Sequence, residues 1–194
     1  MISADMDTFI KEINKYAPLS QECTDALLKI LRPKSIAKNE YYLREGVIPK
    51  TICFIKKGLL SYFFTADNGD IVIKRFFTEH SFVSSTSALI RKAPGLFNIY
   101  ALEDTEILEY DATAFSDLVN KFPDLAMFYI RYMEKNWIVD KEEAEITLKY
   151  QTAKQRYLKF INDNPDLIRR LKQYHIASYL GVTPTQLARI KKEL

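Results

Sequence analysis

Apolar positions change period twice along the chain. From about Met6 to Leu31 they recur at helical spacing, with Phe9, Ile13 and Tyr16 on one face and Leu27, Leu28 and Leu31 on another. From Tyr41 to Tyr110 the pattern breaks into short runs separated by turn residues. Thr51–Ile55 runs to Gly58, and Leu60–Thr65 and Ile71–Phe77 flank Asp67-Asn68-Gly69-Asp70, a hairpin turn with glycine for the positive φ. Residues 97–102 and 106–110 flank a second turn at Glu103-Asp104. Many short strands at regular spacing predict a double-sheet jelly roll or barrel. From Ala112 the helical period returns. Pro123 opens a stretch to about Lys149 with no further proline and no glycine, a helix of around 40 Å. The expected class is α+β, divided into a sensor domain over 1–122, a long helix over 123–148 and a C-terminal unit over 149–194.

The last nineteen residues carry the most specific pattern. Ile176, Leu180, Val182, Leu187 and Ile190 are apolar at spacings that fill the space between two short helices. Ala177 is small where the helices come close, and Gly181 stands where the turn calls for a left-handed residue. Thr183, Pro184 and Gln186 form a capping box with proline at the first helical position. The second helix then presents Thr185, Arg189 and Lys192 opposite its apolar face. A short, capped, cationic helix suits the major groove of DNA. Thr183, Thr185, Gln186, Arg189, Lys191 and Lys192 are the candidate DNA contacts.

Charge distribution adds to this picture. The whole chain is only +3, yet residues 149–194 hold ten Lys/Arg against three Asp/Glu, while residues 1–148 hold eighteen against twenty-two. A basic module beside an acidic body is the footprint of a nucleic-acid binder. Lys149, Lys154, Arg156, Lys159, Arg169, Arg170, Lys172, Lys191 and Lys192 are candidates for phosphate contacts, which supply salt-sensitive affinity more than sequence choice. With 47% apolar and 27% charged residues the chain is globular. No apolar run approaches membrane-spanning length, and the acidic N-terminus does not read as a signal peptide. The cytoplasm is the expected compartment, with Cys23 and Cys53 as reduced, buried thiols.

The long helix carries a partial near-heptad seam of Tyr129, Tyr132, Asn136, Val139 and Ile146. A second copy of the chain is its expected partner, because paired reading units dock on paired half-sites. No catalytic or metal-binding residues stand out. The only histidines are His80 and His175, and no Gly-rich phosphate loop or Ser/His/Asp arrangement is visible. A β-roll enzyme therefore has little to work with, and a scaffold that binds DNA without a ligand is the alternative to a regulator.

A β-roll, a long helix and a C-terminal helix-turn-helix together resemble the cyclic-AMP receptor protein/Fnr (Crp/Fnr) family of transcription regulators. The resemblance rests on Arg44-Glu45-Gly46, on Phe54-Ile55-Lys56-Lys57-Gly58 and above all on Ile176 to Lys192. It implies a cyclic-nucleotide-binding-like sensor, a winged helix-turn-helix reader, double-stranded DNA and RNA polymerase as partners, and Arg189 on a guanine. Pro184 and Thr185 stand where the best-known member has arginine and glutamate, so its operator does not transfer. The ligand cassette departs further. Ser84 and Ser85 sit where the family's cyclic-AMP binders place Gly and Glu, and Leu96-Phe97 where they place Arg and a small hydroxyl residue. Hydroxyl residues of the long helix are replaced near Asp140 and Lys141. Without its arginine a buried phosphate loses a charge-assisted partner. Cyclic AMP is therefore not the expected effector, no cofactor is assigned, and Ser84, Ser85, Thr86, Ser87 and Phe97 are left as candidate ligand contacts.

Overall fold

The computed structural model describes residues 2–194, with side chains from Asp5 onward. Two helices, α1 (Ile2–Asn14) and α2 (Gln21–Ile30), precede eight strands: β1 (Arg32–Ile36), β2 (Tyr41–Leu43), β3 (Thr51–Lys57), β4 (Leu60–Thr65), β5 (Ile71–Phe77), β6 (Phe82–Val83), β7 (Asn98–Ala101) and β8 (Thr105–Asp111). A short helix, α3 (Thr86–Arg91), lies between β6 and β7. The strands make two four-stranded antiparallel sheets, ordered β1-β8-β3-β6 and β2-β7-β4-β5. This is the double-sheet roll that the short apolar runs predict.

Strand β3 shows why one run of apolar residues is unbroken. Cys53 and Ile55 point between the sheets, where they meet Leu60, Tyr62, Ile99 and Ile107. Phe54 points the other way, into a layer formed by α1, α2, α4 (Ala112–Lys121) and α5 (Pro123–Met133). Phe54 packs edge-on to Phe9 at 5.3 Å between ring centres. A strand buried on both faces has no polar alternation to display. Cys23 and Cys53 are buried, unpaired thiols, and burial followed by the nearby Asp124 carboxylate pushes the Cys23 thiol up to about 12.

The long helix runs without a break from Pro123 to Tyr150, but not as a uniform α-helix. Between α5 and α6 (Asp140–Tyr150) lies a π-helical turn, Glu134–Val139. A π turn inserts one residue, which rotates everything after it by roughly 100° relative to an uninterrupted helix. The heptad seam therefore does not stay on one face. Tyr129 packs against Phe115, and Tyr132 sits among Tyr16, Phe82 and Phe128, donating its hydroxyl to the Phe82 carbonyl at 3.3 Å. Asn136 donates to the Tyr16 hydroxyl at 3.0 Å. These three face their own subunit, whereas Val139 and Ile146 are exposed, as are Ile130, Ile138, Leu148 and Tyr150.

Residues beyond the long helix form α7 (Ala153–Asp163), α8 (Leu167–Arg170), α9 (Gln173–Leu180) and α10 (Pro184–Lys192). No strand occurs among residues 149–194, so the expected wing is not formed in the described residues. The segment between α7 and α9 spends its length on the single turn of α8. The long helix ends before the C-terminal unit, because Gln151 and Thr152 are extended and Thr152 starts α7 with its own capping box. Instead the reader packs directly on the roll. Its core of Tyr157, Phe160, Leu167, Ile176, Leu180 and Leu187 includes Leu59, fully buried, with Phe76 and Leu102 packed against it.

Candidate nucleic-acid interface and sensor pocket

Helices α9 and α10 meet through a turn whose geometry follows from its residues. Gly181 has φ +67° and caps α9, and the Val182 N–H reaches back to the Ala177 carbonyl at 3.0 Å. Arg156 adds a second cap, donating to the Leu180 carbonyl from Nε at 3.2 Å and Nη2 at 2.9 Å. Thr183 Oγ1 accepts from the Gln186 N–H at 3.1 Å, and Gln186 Oε1 accepts from the Thr183 N–H at 2.9 Å, closing the capping box. Ala177 and Leu187 are fully buried between the two helices. Leu187 and Ile190 turn α10 inward, which leaves Thr185, Arg189 and Lys192 on its outer side; Thr183, Gln186 and Lys191 are exposed as well. The Arg189 side chain is 76% exposed and makes only a long ion pair, 3.8 Å to Glu193. An exposed i,i+4 pair of this kind contributes about 0.3–0.5 kcal/mol at most, so Arg189 is free to reach a base edge.

Other basic residues divide into two groups. Lys149, Arg169, Lys172, Lys191 and Lys192 are exposed, as is Lys159, which pairs with Asp163 at 2.9 Å, and the half-buried Lys154 donates to the Glu193 carbonyl at 3.1 Å. Arg156 and Arg170 are occupied by the protein itself, Arg156 as the cap on α9 and Arg170 in ion pairs with Glu79 and Glu103. Neither is free for a phosphate. Arg170 has partners 67 and 91 residues away in sequence, so no local pattern announces its role.

In the roll the candidate ligand residues do not converge. Ser85 is buried, with its hydroxyl 3.4 Å from that of Tyr62. Ser84 and Thr86 bond to one another at 2.9 Å, and Ser87 is exposed. Phe97 stacks on Tyr62 at 4.5 Å. The Lys74 ammonium lies over this stack, 4.9 Å from the Phe97 ring and 5.9 Å from Trp137 of the long helix. Desolvation, then the charges of Lys141 and Arg75, lower its pKa. Arg75 pairs with Asp140 at 3.7 Å, which ties β5 to α6. Aromatic rings thus stand beside Ser85, where the resemblance places an acid on ribose and an arginine on phosphate. Two of the candidates, Ser84 and Ser85, do share a mostly apolar cavity of about 230 Å³ with Leu43, Val47, Ile48 and Ile99. Among the described residues no cluster of three potential metal ligands occurs, and no helix is long and apolar enough to cross a membrane.

Comparison with known proteins agrees with this architecture. Residues 33–122 match the cyclic nucleotide-binding domain family. The chain is 23% identical over 184 residues to the transcriptional activator protein Anr of Pseudomonas protegens, covering 89% of this chain and 74% of that one. Its fold is shared by FixK2 of Bradyrhizobium japonicum (TM-score 0.72, 15% identity, 85% of this chain and 84% of that one). It is shared also by the c-di-GMP-responsive global regulator CLP of Xanthomonas campestris (TM-score 0.71, 14% identity, 90% and 91%). The catabolite activator protein of Thermus thermophilus aligns at a TM-score of 0.56, with 15% identity over 91% of this chain and 84% of that one. These relatives are regulators rather than enzymes. Residues 33–122 are thus similar to the cyclic nucleotide-binding domain family, and the chain is similar over most of its length to a Crp/Fnr-type transcriptional activator and shares the fold of such regulators.

Proposed function

We propose that the protein is a homodimeric, sequence-specific DNA-binding regulator of transcription whose effector is not cyclic AMP. The observation that carries this reading is α10: firmly capped, buried on one side, and exposing polar and cationic side chains, Thr185, Arg189 and Lys192, on the other. Arg189 is assigned to a base edge, where bidentate pairing with guanine is worth about 1–3 kcal/mol of discrimination. Lys191 and Lys192 are assigned to phosphates. Exposed apolar side chains at the end of the π turn and after it, Val139 and Ile146 of the original seam together with Ile138, form the face on which a second copy would pack. RNA polymerase is the expected protein partner, by likeness to the family.

The sensor reading follows from the same chemistry. A cyclic phosphate entering beside Ser84 and Ser85 would meet hydroxyls that are already paired and an aromatic stack, with no arginine at Leu96-Phe97. The experiment for the whole reading is selection of bound sequences from random duplexes at fixed salt. It should enrich a two-fold symmetric motif; recovery of unselected sequence would contradict it. Cyclic AMP should leave the thermal unfolding midpoint unchanged, since a ligand that does not bind cannot shift it.

A further inference from the structure

Arg170 carries the densest set of charged contacts in the molecule. Its Nη1 and Nη2 donate to the two oxygens of Glu79 at 2.8 and 3.0 Å, and its Nε and Nη2 donate to the two oxygens of Glu103 at 3.0 and 2.7 Å. Both carboxylates belong to turns at one end of the roll, Glu79 after β5 and Glu103 between β7 and β8. The turn between β3 and β4 joins them, because the Gly58 N–H donates to Glu79 Oε1 at 2.9 Å. Gly58 has φ +111°, and a Cβ there would lie within 2.8 Å of the Asp104 and Thr105 backbone. Three turns are therefore locked to each other, and two of them hold one arginine of the C-terminal unit.

A second tether lies on strand β5, which is an edge strand with unpaired backbone groups. Ser178 of α9 completes them, donating to the Ile71 carbonyl and accepting from the Ile73 N–H at 3.0 Å. Phe76 fills the space between the tethers against Phe160 and Tyr179. None of these contacts touches α10, whose outer face stays open.

We propose that Arg170 is a positioning residue for DNA reading: with Glu79, Glu103 and Ser178 it clamps the reader on the end of the roll in the orientation that presents α10 outward. The proposal rests on the DNA-binding reading above. The clamp's value is orientational. A forked ion pair of this kind, partly desolvated, adds little net stability and is best suited to fixing register. Two readers that must meet two half-sites at a set spacing lose less freedom on binding if each is already fixed to its own roll. The same clamp makes the roll's turns, rather than a helix continuous with the reader, the part of the sensor that the reader feels. Arginine suits this place because its planar fork makes four directed hydrogen bonds to two carboxylates; lysine is a point charge.

The test is a distance measurement between spin labels at Lys38→Cys on the roll and Lys192→Cys on α10. It uses the full chain, without DNA, diluted with unlabelled protein. Cys23 and Cys53 are fully buried, so the introduced thiols take the label. The parent should give one narrow distance, Arg170→Met and the Glu79→Gln/Glu103→Gln pair a broad or shifted one, and Arg170→Lys an intermediate one. A distribution unchanged by Arg170→Met overturns the clamp. If Arg170→Met does not fold, Arg170→Lys and the glutamine pair decide the same question. On a two-fold symmetric duplex, and at a temperature where the variant is fully folded, Arg170→Met should weaken binding roughly ten-fold. Equal or tighter binding overturns the positioning role. Failure of the parent to bind any duplex sinks the DNA reading instead, and leaves the clamp to the distance measurement.

Discussion

The reading helix and the sensor interior have fared differently in this chain. At α10 both the shape and the chemistry that DNA reading requires are present: the left-handed glycine, the reciprocal cap, the buried Leu187 and the outward cations. Inside the roll the shape is present and the chemistry is not. Tyr62 and Phe97 stack beside a buried Ser85, Lys74 lies over the rings, and Arg75 reaches Asp140. The difference teaches that the roll is held by its inter-sheet core, whereas α9 and α10 are held together by the same few residues that aim the outer face of α10.

This contrast can be broken most strongly at Leu187. Leu187→Ala removes a fully buried side chain from between α9 and α10 and should destabilise the reader by about 2–5 kcal/mol. Chemical denaturation should show that loss, and amide exchange should localise it to α7–α10 with the inner strands unchanged. Uniform loss of protection through β3 and β8 would show that reader and roll unfold as one unit.

Acid should sharpen the contrast next. Burial alone would raise the Glu79 carboxyl, but hydrogen bonds from Arg170 and from the Gly58 N–H, with the Arg170 charge, hold it down at about 2. An unfolded glutamate titrates near about 4.3. The folded pKa is the lower one, so Glu79 contributes stability above the unfolded value and loses it as pH falls from about 5 toward 2. Glu79→Gln should flatten this limb of a stability–pH curve. A curve as steep as the parent's would place the acid sensitivity elsewhere. The smallest effect belongs to Thr183→Ala, which removes the N-cap of α10 and should cost about 1 kcal/mol, read as a lower unfolding midpoint; rescue by Thr183→Ser would tie it to the hydroxyl.

What the sequence discloses depends on the range of the interaction. The helix-turn-helix was legible because its caps, turn and apolar spacing act within a few residues, and the strands were legible because Asn68-Gly69 and the short apolar runs are local signals. The seam on the long helix was read as one face because periodicity assumes a uniform helix. The π turn at Glu134–Val139 rotates Tyr129, Tyr132 and Asn136 away from Val139 and Ile146, and nothing in residues 134–139 marks it in advance. The wing was expected by likeness, and no strand occurs among the described residues 149–194. Arg170 counted as one more phosphate contact because its carboxylates lie far away along the chain. Ser84 to Ser87 looked like a hydroxyl cradle in sequence, but their side chains split between a buried contact, a mutual bond and solvent.

The central claim is that α10 reads sequence through Arg189. A binding titration of the parent and Arg189→Ala, at one salt concentration, on a selected duplex and on a scrambled one, tests it most directly. The account predicts that the variant loses about 1–3 kcal/mol on the selected duplex and keeps its affinity for the scrambled one. Equal losses on both duplexes, or no loss on either, would contradict it.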